Sequence, residues 1–366
     1  MFKKMNWGIL IPVLLLLAIG WILVLSSSTY YAMHQFSTTN RFMFVRSHSI
    51  YIGLGLLVML IAYKVNYKIY NNIVLVGLLC VFALILMLMT FMFDIGKEAH
   101  RWIVIGSQTF MPVDVAKIAM IFALAYSLSH FKPKRNKILA ILIHSIYPGI
   151  LMMISFLQPH FSSVMTLAIT YGVMLLVGFS STLLVVGVGA GLGAALFTGA
   201  YLMGYRVQRI ESFTAGLENV DSASDQVRYS ILAISSGGIF GIGPGKSVFN
   251  KMYIPEPHND MIMSTLGEEF GLIGNLTVLL LMFILIWNLI RVAYQSRSEF
   301  GRLVVLGIAC VIFLQMAINM GTALGIGPPT GVSLPFISFG GTNLVALMAL
   351  IGVALNVHEV DSTSEW

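Results

Sequence analysis

The chain has 366 residues, 58% of them apolar or aromatic (AVILMFWYC) and only 10% charged, with a mean hydropathy of +0.89. Soluble domains carry about 25% charged residues, and disordered chains combine low hydrophobicity with high charge. Both classes are excluded, and the net charge of +6 is read as positive cytoplasmic loops, with no nucleic-acid partner expected.

A hydrocarbon core of about 30 Å takes about 20 apolar residues as helix. Such runs lie near 8–28, 48–63, 73–93, 114–130, 138–157, 161–179, 182–203, 266–290, 303–325 and 339–357, which predicts an all-α polytopic protein with about ten transmembrane helices in one domain, 1–366. With the N-terminus inside, cytoplasmic segments hold eleven lysines and arginines between Lys3 and Arg302, and the short outer loops hold four. That bias puts both termini in the cytoplasm and a large loop, about 204–265, outside. Eleven of the 15 acids, from Asp94 to Glu269, lie on the outer face or at its boundary, so chemistry is expected there. Cys80 and Cys310 sit in apolar runs, and no histidine belongs to a compact metal-ligand pattern.

Five stretches invite a chemical reading, taken in chain order. In Arg101-Trp102-Ile103 and Met111 to Lys117, Pro112 suits a helix start and Asp114 complements its dipole. Lys117, three residues on, falls in an apolar helix where a cation needs a partner. The pair pins the helix start, or Arg101 and Lys117, which flank the same loop, hold a phosphate. On the predicted seventh helix, Gly187, Gly191, Ala195 and Gly199 form a flat ridge, for close packing or for a lipid tail. Beyond it, Arg206 and Arg209 share a helical face on the side where basic anchors are depleted, and suit a phosphate-bearing partner or an interfacial anchor.

Gly237 to Ser247 looks like a nucleotide loop but has Phe240 where the pattern needs glycine, so a flexible glycine turn is expected. In Ile254 to Asp260 a proline-rich turn precedes the eighth helix, and Glu268 and Glu269 follow two turns later. Glu269 reads as a dipole complement. Three acids where a chain enters lipid exceed what capping requires, and a partly desolvated carboxylate there can act as a general base. Last come Asn319-Met320-Gly321 and Gly327 to Asn343, a stretch dense in glycine and proline. Irregular backbone at membrane depth is tolerated only when buried or lining a cavity, and a re-entrant plug without chemistry is the plain alternative.

Together, and in this order over nearly the whole chain, these stretches resemble the SEDS family (shape, elongation, division and sporulation), and more the FtsW/SpoVE branch than RodA, through Gly243-Pro244-Gly245-Lys246-Ser247 and Leu334 to Ser338. The resemblance implies a peptidoglycan glycosyltransferase that polymerises lipid II at the outer face of the bacterial cytoplasmic membrane, in cell division. The alternatives are a RodA-like role in elongation, or a lipid II flippase without bond chemistry. Asp260, in His258-Asn259-Asp260, corresponds to the leading catalytic aspartate. Arg101, Lys117, Arg206 and Arg209 correspond to substrate and pyrophosphate ligands, with Asp114, His258, Glu268, Gln158 and Ser338 in support. A divalent cation, Mg or Mn, is a candidate to share the charge, although no ligand set is visible. The implied partners are the growing glycan strand, a class B penicillin-binding protein, and other membrane proteins of the division or elongation complex. Three departures stand out: Gln158-Pro159-His160-Phe161-Ser162-Ser163 replaces a family carboxylate by an imidazole, Pro112-Val113-Asp114 replaces Pro-Ser-Glu, and Asp221 to Tyr229 lacks Gly-Tyr-Gln.

Overall fold

The computed structural model describes residues 5–35, 41–92, 101–105, 108–131, 137–178, 224–327 and 329–363. The expected span at 182–203 with its small-residue ridge, and both Arg206 and Arg209, lie outside the described residues. The helices are α1 (Trp7–Gln35), α2 (Met43–Lys64), α3 (Ile73–Met89), α4 (Pro112–His130), α5 (Lys137–Leu157), α6 (Phe161–Gly178), α7 (Asp225–Ser236), α8 (Phe249–Met252), α9 (Ile262–Gln295), α10 (Glu299–Ala323) and α11 (Gly341–Thr363). Among the described residues, nine helices are long and apolar enough to cross a membrane, all except α7 and α8. They coincide with nine of the ten expected apolar runs.

A hairpin and two short helices were not expected. A hairpin of β1 (Ile103–Ile105) and β2 (Gln108–Phe110) leads into α4, with Ile103 opposite Phe110. Strands of three residues are too short to show a period of two. The helices α7 and α8 lie within the segment read as an outer loop, and at 12 and 4 residues neither approaches a span.

The centre of the bundle is α10, whose Leu303, Val304, Val305, Ile308, Val311 and Ile312 are all buried, between α4, α6, α9 and α11. Outward, α2 and α3 present Leu54, Leu57, Ile61, Leu78 and Ile85, as lipid-facing helices do. At one end a polar knot fixes the turn after α2. Asn356 accepts from the Tyr67 amide at 2.8 Å and donates to the Tyr63 carbonyl at 2.7 Å. Asp361 accepts from the Tyr67 hydroxyl at 2.7 Å and the Ser296 hydroxyl at 2.6 Å. Burial and the Asp361 carboxylate both push the Tyr67 phenol upward, so it stays a neutral donor.

At the other end α9 is broken at Gly271, which takes φ 68° and ψ −161°. The segment read as a flexible glycine turn mends this break. Ile242 and Gly243 amides donate to the Glu268 and Glu269 carbonyls, both at 3.0 Å, and the Leu272 amide returns to the Gly238 carbonyl at 2.9 Å. A break at membrane depth needs its freed backbone groups satisfied by protein, and the glycine segment does this at contact distance. A Cβ on Gly241, itself at φ 78°, would land on the Glu269 carbonyl. The turn is therefore a fixed splint, and its glycines are needed for close approach.

Candidate functional site

A cavity of about 300 Å³ opens at this end of the bundle. Its wall includes Met111, His160, Asp260 and Gly341, which lie at or just before the first residues of α4, α6, α9 and α11. Four helix N-termini therefore meet around one space, each contributing partial positive charge. The segment after α10 closes the cavity with Thr330, Gly331, Ser333 and Gly340 to Asn343. That segment is a wall of the site, not the inert plug given above as the plain alternative.

Asp260 is held from two sides. Its Oδ2 accepts from Gln226 Nε2 at 3.2 Å, and its backbone carbonyl accepts from Asn319 Nδ2 at 2.7 Å. The same Asn319 amide reaches the Val332 carbonyl at 2.8 Å. One turn back on α10, Gln315 Nε2 donates to Asn343 Oδ1 at 3.0 Å, and Asn343 donates to Ser333 Oγ at 2.9 Å. The amides of α10 thus fix both the Asp260 turn and the facing wall. Sequence reasoning missed Gln226 and Gln315 as site residues, and read Asn319 only as part of the irregular stretch after it. The last two had a signal: polar residues four apart in an otherwise apolar helix mark a buried polar function.

The expected charged residues fall into two groups. Asp114, Arg101 and Asp260 line the cavity with Glu256 and His160. Lys117 does not; its Nζ is paired with Asp114 Oδ1 at 2.9 Å, with Asp114 buried and Lys117 mostly covered. In this structure it meets the cavity wall through Asp114, whose carboxylate it positions. Removing one partner of a buried pair leaves an uncompensated charge worth about 3–5 kcal/mol. Lys117→Met is expected to lower the thermal unfolding temperature in detergent, and adding Asp114→Asn to recover most of the loss. Arg101 lines the cavity while its guanidinium donates to the Pro159 carbonyl and, at 3.4 Å, to the Gln158 carbonyl.

Three of the supporting residues are structural. Gln158 Nε2 bridges to the Met87 carbonyl at 2.9 Å and Thr90 Oγ1 at 2.8 Å, tying the end of α5 to the end of α3. Ser338 Oγ accepts from the Leu334 amide at 2.8 Å and closes the turn in which Phe336 takes φ 63°. Glu268 turns its carboxylate to a cap. Its carboxylate accepts from the Ser247 hydroxyl and from the Val248 amide at 2.8 Å, capping α8. Glu269, read as a dipole complement, accepts from the Ser26 hydroxyl on α1.

His258 is also away from the cavity wall. It is buried among Tyr31, Phe44 and Phe339, with ring centroids 5.1, 4.4 and 5.5 Å away. Burial, with His48 beside it, pushes its imidazole down to about 3. The folded chain thus binds this proton less readily than the unfolded chain, where histidine titrates near 6.5. Above about pH 6.5 the group costs nothing. Below it, stability falls by up to about 1.4 kcal/mol per pH unit until the folded value is reached. Thermal unfolding between pH 6.5 and 4.5 is expected to show this loss, and His258→Phe to reduce it.

Among the described residues, no three carboxylate, imidazole or thiol groups converge as ligands for one ion.

The model of the cell cycle protein family of FtsW, RodA and SpoVE matches residues 7–363. This chain belongs to that family. Stage V sporulation protein E of Bacillus subtilis is 32% identical, over 97% of this chain and 98% of that protein. A Geobacter protein named "Probable peptidoglycan glycosyltransferase FtsW" is 31% identical over 95% of each. The fold matches a chain of a peptidoglycan synthase complex that coordinates polymerization and crosslinking, with a TM-score of 0.77 over 98% and 99% of the two chains at 23% identity. Rod shape determining protein RodA of Thermus thermophilus gives 0.70 over 98% and 97%, also at 23%. The polytopic fold of the FtsW/RodA/SpoVE family is thus shared along essentially the full length of both solved chains.

Proposed function

We propose that this FtsW/RodA/SpoVE-family chain is a peptidoglycan glycosyltransferase that polymerises lipid II for cell division at the outer face of the bacterial cytoplasmic membrane. The observation that carries the reading is Asp260 in a cavity ringed by four helix N-termini. A pyrophosphate-linked sugar needs both features: a carboxylate to take a proton from the attacking hydroxyl, and fixed positive charge where the pyrophosphate departs. In this reaction the acceptor's 4-hydroxyl gives its proton to Asp260 and attacks the donor's anomeric carbon. The bond to pyrophosphate breaks, and charge grows on an oxygen facing the helix ends and Arg101. Such preorganised charge is usually the largest single contribution to the rate. Arg206 and Arg209 are assigned to the same pyrophosphate by the resemblance.

The orientation is supported by the opposite helix ends, where Lys64 ends α2, Arg291 lies near the end of α9 and Arg302 stands in the first turn of α10, as at cytoplasmic ends. A class B penicillin-binding protein is the proposed partner, in line with the synthase complex that shares the fold. The test is the product formed when the purified chain is incubated with lipid II and no other polymerase. Glycan ladders are expected. Passage of lipid II across a vesicle membrane without lengthening would instead establish a transporter.

A further inference from the structure

Among the described residues, the cavity wall holds one imidazole, and the chemistry above gives it no part. His160 immediately precedes α6. Its backbone is fixed on both sides, its amide donating to the Ser155 carbonyl at 3.0 Å and its carbonyl accepting from the Val164 amide at 3.2 Å. The side chain is buried, and Nδ1 is hydrogen-bonded to the Ser163 hydroxyl in the first turn of the helix. With Nδ1 committed to Ser163, the ring's second proton-carrying atom is Nε2. The neighbouring carbonyl, that of Pro159, receives the Arg101 guanidinium. An imidazole, a guanidinium and the N-terminus of an 18-residue helix therefore stand together on one side of the cavity. Asp260 is suspended separately, from α7 and α10. Proton acceptor and anion-binding groups are built on different elements of one wall.

We propose that His160 is a further catalytic residue, which donates a proton to the departing pyrophosphate while Asp260 receives one from the acceptor. This rests on the glycosyl-transfer reading above. In the step, the acceptor O4–H proton moves to Asp260 and the O4–C1 bond forms. The bond from C1 to the pyrophosphate oxygen breaks, its electron pair staying on that oxygen, which takes the proton from His160 Nε2. Asp260 then loses a proton to water and His160 regains one, so the enzyme returns to its starting state with no other reactant. Imidazole suits this task because it is the side chain that ordinarily exchanges its proton near neutral pH. The charge of a bound pyrophosphate favours the protonated ring against burial, the helix end and Arg101. The titratable and charged groups that share the wall with it are Asp260 and Glu256 before α9, Asp114 on α4, and Arg101 before β1.

The experiment is the initial rate of polymer formation from lipid II between pH 5.5 and 9, for the purified full chain and its His160→Gln and His160→Asp variants. Wild type is expected to give a bell-shaped profile. His160→Gln is expected to be about 10²-fold slower, with its alkaline limb abolished and lipid II binding retained. A carboxyl donates a proton only when protonated, so His160→Asp is expected to work best on the acid side. A merely structural role would not move the profile in this way. The proposal is overturned if the glutamine variant keeps the wild-type rate and alkaline limb, or if the aspartate variant matches wild type at pH 8. Should the glutamine variant not fold, His160→Asn reads the same limb. Wild type that binds lipid II yet makes no polymer at any pH overturns the glycosyl-transfer reading itself. Polymerisation with unaffected variants overturns only the role of His160.

Discussion

Replacing Asp260 with Asn leaves a folded chain that makes no detectable polymer from purified lipid II. The substitution changes almost nothing except the ability to accept a proton. The backbone carbonyl still receives Asn319, and the side-chain amide oxygen still accepts from Gln226. The general base, however, is gone, and such groups contribute about 10²–10⁴-fold. Product ladders on a gel measure the loss, and thermal unfolding within a few degrees of wild type shows that it is chemical. Full activity in the variant would remove Asp260 from the reaction. The result also separates polymerase from scaffold, because a protein that only recruited partners would tolerate the change.

Gly271→Ala is expected to have the largest effect on stability. At φ 68° and ψ −161° the backbone lies in a region that is essentially glycine-only, and a Cβ there would meet the Gly241 amide and the Ile239 carbonyl. Backbone strain and collision act together, so a cost of the order of 3 kcal/mol or more is expected. Because the first turns of α9 follow directly on the Asp260 turn, activity should fall with stability. Gly172→Ala is the internal control. That glycine is in α6 with open space where a Cβ would stand, so a neutral or slightly stabilising change is expected. Thermal unfolding of the two variants side by side checks the contrast. Equal behaviour would mean that the glycine splint does not hold the break.

The apolar runs placed nine helices because membrane spans are set by length and composition, both readable locally. The Asp114–Lys117 pair was readable for the same reason: three residues apart on a helix are neighbours by geometry. Asp260 emerged as an acid stranded between a proline-rich turn and lipid. Partners distant in the chain were not readable. Gln226 meets Asp260 across 34 residues, from a short helix that no apolar run announced, and Asn319 meets it across 59, from a predicted span whose pairing the sequence does not give. Glu268 shows the converse. Its setting at the membrane boundary suggested a base, and only the packing of Ser247 and the α8 amides against it shows a cap. Gln158 and Ser338 likewise sit beside the wall while their side chains bond to structure. The glycine segment looked loose in isolation because the broken helix it mends begins some twenty residues later. His160 was visible as an imidazole in an unusual place, yet its meaning depends on a cavity that brings residues 101 to 343 together.

The central claim is that the reacting end of lipid II sits in the cavity beside Asp260, and photo-crosslinking measures this most directly. A photoreactive side chain at Thr342, in the cavity wall, is compared with one at Ser362, in the pocket at the opposite end of the bundle. Both chains are irradiated with lipid II, and the adducts are mapped by mass spectrometry. The account predicts adducts to the sugar–pyrophosphate portion at position 342 and none at 362. Adducts at 362 with none at 342, from a chain that still polymerises lipid II, would contradict it.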